Sequence, residues 1–183
     1  MRISFGPVMQ YGYIVTDVEK SALEWVERAG VGPFYTLDRN RMEDYYYRGV
    51  RMPVEMRLAF GYWHGVQIEL IQPLGEADSL YRRAVQTSAG KLNHLATVVS
   101  DLEGLLTRHA LQDQVIQRGS MSSGVNFVYL EEYVPGGLHL ELIEAPESTL
   151  AAFAGMEKSA RHWDGRDPLR PITQLGTDLA ALG

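Results

Sequence analysis

The first half of the chain contains apolar segments of two kinds, one with helical spacing and several short ones typical of strands. Apolar residues at positions 18, 22, 25, 26 and 29 have the spacing of one helix face, and Gly30 is suited to end that helix. One apolar segment before it and three after it are short and bounded by turn residues, which indicates strands. The pattern predicts a strand, a helix and three strands, with the strands at residues 8–15, 33–38, 54–60 and 66–72.

The second half of the chain repeats this order. Residues 94–103 (HLATVVSDLE) resemble residues 10–19 (QYGYIVTDVE), and residues 139–143 (HLELI) resemble residues 67–71 (QIELI). Both helices are expected to begin with a Ser/Thr-x-x-Glu capping box, at Thr16 and at Ser100. Two copies are too few for a solenoid, so we expect a pseudo-twofold pair of modules. The second set of strands is predicted at residues 94–99, 114–117, 125–130 and 138–143, with a helix to about residue 111.

These patterns predict an α+β fold in which two βαβββ modules form a cupped, pseudo-twofold mixed sheet. Residues 1–146 comprise the paired modules, with module one at 8–73, a linker at 74–90 and module two at 91–146. The linker is expected to hold a short helix at 79–87. Residues 147–183 are expected to form a C-terminal helical tail, with helices at 148–155 and 173–181 and a loop at 165–171.

An insertion makes the first module longer than the second. Gln10 and Glu69 are 59 positions apart but their counterparts His94 and Glu141 only 47, a difference of 12 that falls near residues 39–52. This insertion contains three consecutive tyrosines, Tyr45 to Tyr47. It forms either a wall or lid over a pocket or an ordinary surface loop with exposed tyrosines.

Composition and charge narrow the classes of partner. The 183 residues carry a net charge of −6 with scattered basic residues, which argues against nucleic acid or an anionic membrane as the main partner. No apolar segment approaches the ~20 residues that span a bilayer, and the first residues lack a secretory signal. The chain has no cysteine, so thiolate chemistry is excluded. A cytoplasmic location is therefore expected.

Polar residues that can bind a metal occupy equivalent strand positions in the two halves. Gln10 and His94 lie in the first strands, and Glu69 and Glu141 lie in the last strands. Each has small or apolar residues on its own face, where an unpaired carboxylate would be costly to bury. One divalent cation held by all four residues (Zn, Ni, Co, Mn or Fe) would explain them. The alternative is that these are outward-facing polar positions whose similarity only reflects duplication.

These features resemble the vicinal oxygen chelate superfamily, which includes glyoxalase I, methylmalonyl-CoA epimerase and extradiol dioxygenases. The resemblance covers about residues 8–146 and rests on the duplicated modules, on Val-Ser-Asp-Leu-Glu at 99–103 and on Glu-Leu-Ile-Gln-Pro at 69–73. It implies that Gln10, Glu69, His94 and Glu141 bind the metal. This ligand order is closest to glyoxalase I, and methylmalonyl-CoA epimerase is similar.

The resemblance implies a metal-dependent isomerase, epimerase or lyase that removes a proton next to a carbonyl group of a small oxygenated substrate. Glu141 is the expected base, and Glu69 returns the proton; His139, on the same face as Glu141, either assists or is a partly exposed strand residue. The alternatives are a non-catalytic binding or resistance protein and, less well matched by the ligands, an Fe(II) dioxygenase. No cluster matches the glutathione-binding arginines of glyoxalase I, so a different substrate is expected. Homodimers are common in this superfamily, and one is expected here.

Overall fold

The computed structural model describes residues 3–42 and 44–182. Residues 1, 2 and 183 of the predicted domain ranges, and residue 43 of the insertion, lie outside the described residues. The first half contains β1 (Gln10–Ile14), α1 (Val18–Ala29), β2 (Phe34–Arg41), β3 (Asp44–Tyr47), β4 (Val50–Arg51), β5 (Glu55–Trp63) and β6 (Val66–Leu74). The remainder contains α2 (Leu80–Ser88), β7 (Leu92–Val98), α3 (Leu102–Arg108), β8 (Val115–Ser120), β9 (Asn126–Val134), β10 (Leu138–Glu144), α4 (Glu147–Arg161), β11 (Leu169–Pro171) and α5 (Leu175–Ala181).

One mixed sheet joins all the strands of the described residues. The order across it is β11-β2-β5-β6-β1-β7-β10-β9-β8-β3-β4. Within each module the first and last strands are parallel neighbours, β1 with β6 and β7 with β10. The modules meet where β1 and β7 pair in antiparallel orientation. The predicted α+β fold of two βαβββ modules is therefore confirmed, and the four middle strands bring the candidate ligands together.

Each module covers the outer face of its own strands with one helix. Val18 and Ala22 of α1 are buried against the first module, and Leu102 and Leu106 of α3 are buried against the second. The inner faces of both modules share a third apolar cluster, to which α2 and the tail also contribute. The candidate site lies on this inner side of the sheet.

The predicted capping boxes are wrong by one residue. The N-cap of α1 is Asp17, whose carboxylate accepts from the Lys20 N–H, and the N-cap of α3 is Asp101, whose carboxylate accepts from the Gly104 N–H. A carboxylate is a stronger acceptor than a hydroxyl and also interacts favourably with the positive end of the helix dipole. At the other end of α1, Gly30 ends the helix as expected, in a left-handed conformation (φ 65°) that glycine adopts at little cost.

The insertion forms a hairpin of the sheet, which corrects the interpretation of it as an ordinary surface loop with exposed tyrosines. Strand β3 pairs with β8 of the second module, so part of the first module extends the second module's edge. Tyr45 and Tyr47 are buried, and the Tyr45 hydroxyl donates to the buried side chain of Gln117. Tyr45 and Tyr47 therefore belong to the core and to the junction between modules, whereas Tyr46 is partly exposed.

The C-terminal tail is mainly helical, but it also contributes a strand where a loop was predicted. β11 pairs in parallel with β2 at the sheet edge. The Tyr35 hydroxyl of β2 donates to Asp178 Oδ2 (2.7 Å) and lies 2.7 Å from Ser159 Oγ, while Arg170 pairs with the same Asp178 oxygen at 2.9 Å. These contacts hold the tail against the first module. None of the helices in the described residues is long and apolar enough to cross a membrane.

Candidate metal centre

Residues that pair across the four middle strands form rows. The strand register places three candidate ligands in two rows that are neighbours on the inner face of the sheet. In one row, Gly12 of β1 pairs with Glu69 on one side and with His94 on the other. Because the glycine between them has no side chain, the imidazole and the carboxylate can approach each other. The β10 pairing places Glu141 one row away, opposite Ala96.

Gln10 lies in the same row as Glu141. It pairs with Ala96 across the module junction, and Ala96 in turn pairs with Glu141. Gly12 and Ala96 occupy equivalent positions in the two modules, two residues after Gln10 and His94. Gly12 of the first module therefore lies beside His94 of the second. In the same way, Ala96 of the second module lies beside Gln10 of the first.

Three of the four side chains converge on one point. His94 Nε2 is 3.3 Å from Glu69 Oε2 and 3.3 Å from Glu141 Oε2, and all three residues are buried. In the described part of the chain these three atoms have no hydrogen-bond partner, and Gln10 Oε1 is likewise buried without one. Unpaired buried polar atoms are costly, so four at one place require an explanation.

A bound divalent cation accounts for this donor set. Two ligand atoms at about 2.1 Å from one ion are roughly 3.0–3.4 Å apart in octahedral or tetrahedral geometry, and the two 3.3 Å separations fall in that range. One imidazole nitrogen, one amide oxygen and two carboxylate oxygens suit a borderline or hard divalent ion. The residues therefore fit a metal, with Gln10, Glu69, His94 and Glu141 as the set that could hold it.

The close approach of His94 to β1 depends on Gly12. A β-carbon added at Gly12 would lie 1.8 Å from Cε1 and 1.9 Å from Nε2 of His94. Such distances are far inside van der Waals contact, and the imidazole is fully buried. Sequence reasoning did not identify Gly12 as part of the site, although its place on the Gln10 face was visible.

A second glutamine orients the first. Gln10 Nε2 donates to Gln67 Oε1 (2.7 Å), and Gln67 Nε2 donates to the Tyr62 hydroxyl (2.9 Å). Because the Gln10 amide nitrogen is engaged by Gln67, its oxygen is left for the site. Gln67 was also missed from the sequence, although it lies two residues before Glu69 on the same strand face.

His94 is held by neighbours on its other sides. Its Nδ1 lies 3.2 Å from Asn93 Oδ1, an acceptor, so Nδ1 carries a proton and Nε2 is available as a ligand. The Tyr129 ring packs edge-on against the imidazole with 4.9 Å between ring centroids, and the Tyr81 hydroxyl donates to the Tyr129 hydroxyl. Burial raises the pKa of both tyrosines, so these hydroxyls stay protonated.

The ionisation of the site reflects its two buried carboxylates. Burial raises the pKa of Glu69; contact with His94 opposes this effect, and the charge of Glu141 adds to it. Burial alone would lower the pKa of His94, but Glu141 and Glu69 outweigh it and raise that pKa to about 9. In the absence of a cation, the imidazole therefore holds a proton between the carboxylates.

A cavity of about 350 Å³ opens over the centre, and Gln10, Glu69 and Glu141 form part of its lining. The strand walls come from both modules, and the tail helix α4 covers the cavity with Ala152, Phe153 and Met156. Sequence reasoning predicted the helix but not its place over the site, because no pattern within α4 indicates which surface it covers.

Two other sequence candidates lie away from this cavity. His139 does not line it; its Nδ1 accepts from the Glu132 N–H, and burial lowers its pKa. The side chains of Tyr45 to Tyr47 do not line it either, although Asn40, at the start of the insertion, does. His139 therefore fits its second interpretation, a partly exposed strand residue.

Comparisons with known proteins agree with this architecture. The model of the glyoxalase/bleomycin resistance protein/dioxygenase superfamily matches residues 9–129. A methylmalonyl-CoA epimerase from Mycobacterium tuberculosis is 20% identical with a TM-score of 0.55, covering 79% of this chain and 91% of that one. A hypothetical protein from Bacillus halodurans is 19% identical with a TM-score of 0.55, covering 76% and 94%. No curated protein matches the chain.

Proposed function

Because the chain belongs to the glyoxalase/bleomycin resistance protein/dioxygenase superfamily, we propose that it is a divalent-metal-dependent isomerase, epimerase or lyase. Its substrate is a small carbonyl compound from which a proton is removed at the adjacent carbon. The observation that carries this proposal is the set of four buried, unpartnered ligand atoms facing one cavity. Without a cation, an ion pair with His94 compensates part of this burial but leaves the Gln10 oxygen unpartnered.

In this proposal the cation is one of Zn, Ni, Co, Mn or Fe. Its ligands are Gln10, Glu69, His94 and Glu141. When bound, the cation supplies Lewis acidity toward the carbonyl oxygen of the substrate. The surrounding residues set the orientation of the ligands: Gln67 directs the Gln10 oxygen, and Asn93 directs Nε2 of His94.

Glu141 and Glu69 move the proton. Their Oε2 atoms each lie 3.3 Å from His94 Nε2, and both residues line the cavity. Glu141 takes the proton from the carbon next to the carbonyl, and Glu69 returns it from the other side. Phe153 and Met156 form an apolar cover that excludes water from the cavity while negative charge develops on the substrate.

Deuterium exchange tests the proposed chemistry. Metal-loaded protein is incubated in D₂O with a panel of 1,2-diketones and 2-hydroxyketones, and incorporation beside the carbonyl is followed by NMR. We expect exchange in the wild type and its loss in Glu141→Gln, with the fold retained by circular dichroism. Glu131→Gln, an exposed carboxylate of β9 paired with Arg48, is the matched control.

The alternative is a binding protein on the same fold. Ligand binding with no exchange, equal in the wild type and in Glu141→Gln, would indicate that alternative and would contradict the enzyme. Homodimer formation and a cytoplasmic location stay predictions; sedimentation velocity of the full chain tests the first.

A further inference from the structure

No cationic side chain among the described residues lines the cavity over the candidate centre. Among the described residues its walls are formed by apolar side chains of both modules, including Leu58, Phe60, Phe127 and Ile143. Neither lysine nor arginine lines it in the part of the chain that the structure describes. At about 350 Å³ the cavity is at the small end of the range for ligand pockets, so a ligand that fills it contacts most of this apolar surface.

Strand alternation explains why the arginines of the first module stay outside. Leu58 and Phe60 of β5 line the cavity, so Arg57 between Met56 and Leu58 projects from the opposite face. There it pairs with Glu19 at 2.6 Å and with Asp38 at 2.9 Å. Arg170 of the tail is likewise engaged, with Asp178.

The candidate metal centre also has no excess positive charge that could attract an anion. The carboxylates of Glu69 and Glu141 together balance a divalent cation, and without a cation the His94 imidazole carries at most one positive charge against them. A substrate carboxylate or phosphate inside the cavity would therefore be desolvated with no opposite charge to compensate it.

Neutral polar groups are present at the rim instead. Ser122 and Ser123 of the β8–β9 loop, Ser148 and Thr149 at the start of α4, and Asn40 of β2 line the cavity. Hydroxyl and amide groups of this kind can hydrogen-bond to uncharged oxygen atoms of a ligand.

We propose that the substrate is a neutral, mainly apolar carbonyl compound, and that carbonyl compounds carrying a second, anionic group inside the cavity are excluded. This inference rests on the proposed function, since it names the substrate class of the same site.

An isosteric pair of probes tests the charge preference. 1-(4-Nitrophenyl)propane-1,2-dione and 1-(4-carboxyphenyl)propane-1,2-dione have the same shape and differ in charge at the far end from the two carbonyl groups. Affinity is measured by calorimetry on the metal-loaded and on the metal-free protein. We expect the nitro compound to bind at least roughly tenfold more tightly than the carboxylate compound, both to the metal-loaded and to the metal-free protein. The reason is that the uncompensated carboxylate is costly to bury.

A charge introduced at the rim should change this preference. Thr149→Arg places a cation at the cavity, and we expect roughly tenfold tighter binding of the carboxylate probe with little change for the nitro probe. Thr107→Arg, on the exposed face of α3, is the control and should change neither affinity. Circular dichroism checks that both variants fold.

Equal affinities for the two wild-type probes, or a preference for the carboxylate, would overturn the inference even if Thr149→Arg failed to fold. Failure of the proposed function is recognised separately, as the absence of stoichiometric metal binding or of Glu141-dependent exchange. The metal-free measurement keeps the two results distinguishable.

Discussion

The imidazole of His94 occupies the space that a side chain at Gly12 would need. An added β-carbon would lie 1.9 Å from Nε2, the atom that faces Glu69 and Glu141. The absence of a side chain on one strand thus permits the ligand geometry of its neighbour across the module junction.

Gly12→Ala should therefore reduce metal affinity by displacing His94. We expect a loss of at least about tenfold, because an ångström-scale shift moves Nε2 away from the carboxylate oxygens. Calorimetric titration with Zn²⁺ measures it. Gly176→Ala in α5 is the control: a β-carbon there meets nothing within 4 Å, so affinity should not change. Equal affinities of the wild type and Gly12→Ala would contradict the role given to Gly12.

Gln67 is predicted to act through Gln10. Gln67→Leu removes the acceptor for the Gln10 amide, which can then rotate and turn its nitrogen toward the site. We expect metal affinity to fall by about 10- to 100-fold, the usual effect of losing a group that orients a ligand.

Tyr62→Phe provides a graded comparison for Gln67. It keeps the Gln10–Gln67 hydrogen bond and removes only the partner of Gln67 Nε2, so its effect on metal affinity should be smaller. Thermal unfolding of the metal-free variants checks the fold. A larger loss of affinity in Tyr62→Phe than in Gln67→Leu would argue against this chain of contacts.

Metal binding should stabilise the fold. A ligand at 100 times its dissociation constant adds about 2.7 kcal/mol to the free energy of unfolding, which raises Tm by roughly 5–10 °C in a protein of this size. Calorimetric scans with added Zn²⁺ or Ni²⁺, then with excess EDTA, measure the shift and its reversal. No shift at saturating metal would mean that the ion does not bind the native state preferentially.

The tail contacts predict a pH-dependent contribution to stability. Burial raises the pKa of Asp178, but hydrogen bonds from Tyr35 and Arg170 outweigh it and lower that pKa below its usual value. A lowered folded-state pKa stabilises the protein above the unfolded value near 3.9, and this stabilisation is lost as the pH falls through the folded value.

Asp178→Asn should therefore destabilise the protein at pH 7 by about 1–3 kcal/mol, and the difference from wild type should be smaller at a pH below the unfolded value near 3.9. Urea unfolding at both pH values measures it. Asp164→Asn, in an exposed pair with Arg166, is the control and should change little. A difference between Asp178→Asn and wild type that stays constant with pH would contradict the assignment.

Much of the fold could be predicted from the sequence because duplication leaves two copies to compare. The equivalence of Gln10 with His94 and of Glu69 with Glu141 placed all four candidates on the strands that meet at the centre of the sheet. The hairpin at Tyr45 could not be predicted in this way, since the second module has no counterpart and the pairing partner β8 is about 70 residues away. The same holds for α4, whose position over the cavity depends on contacts between distant residues such as Tyr35 and Ser159.

The capping residues show a different limit of sequence patterns. Thr16 and Asp17 are adjacent and both can cap a helix, so the pattern alone does not determine which one does. Gln67 and Gly12 were missed for another reason: their roles depend on neighbours across strands, which the sequence of one strand does not reveal.

We propose that Gln10, Glu69, His94 and Glu141 form one metal centre. Titration of metal-free protein with Zn²⁺ in a calorimeter, for the wild type and for Glu69→Gln and Glu141→Gln, tests it most directly. We expect one ion per wild-type chain and affinities at least about tenfold lower in both variants, since each loses a charged ligand. No stoichiometric binding to the wild type, or the same affinity in all three proteins, would contradict it.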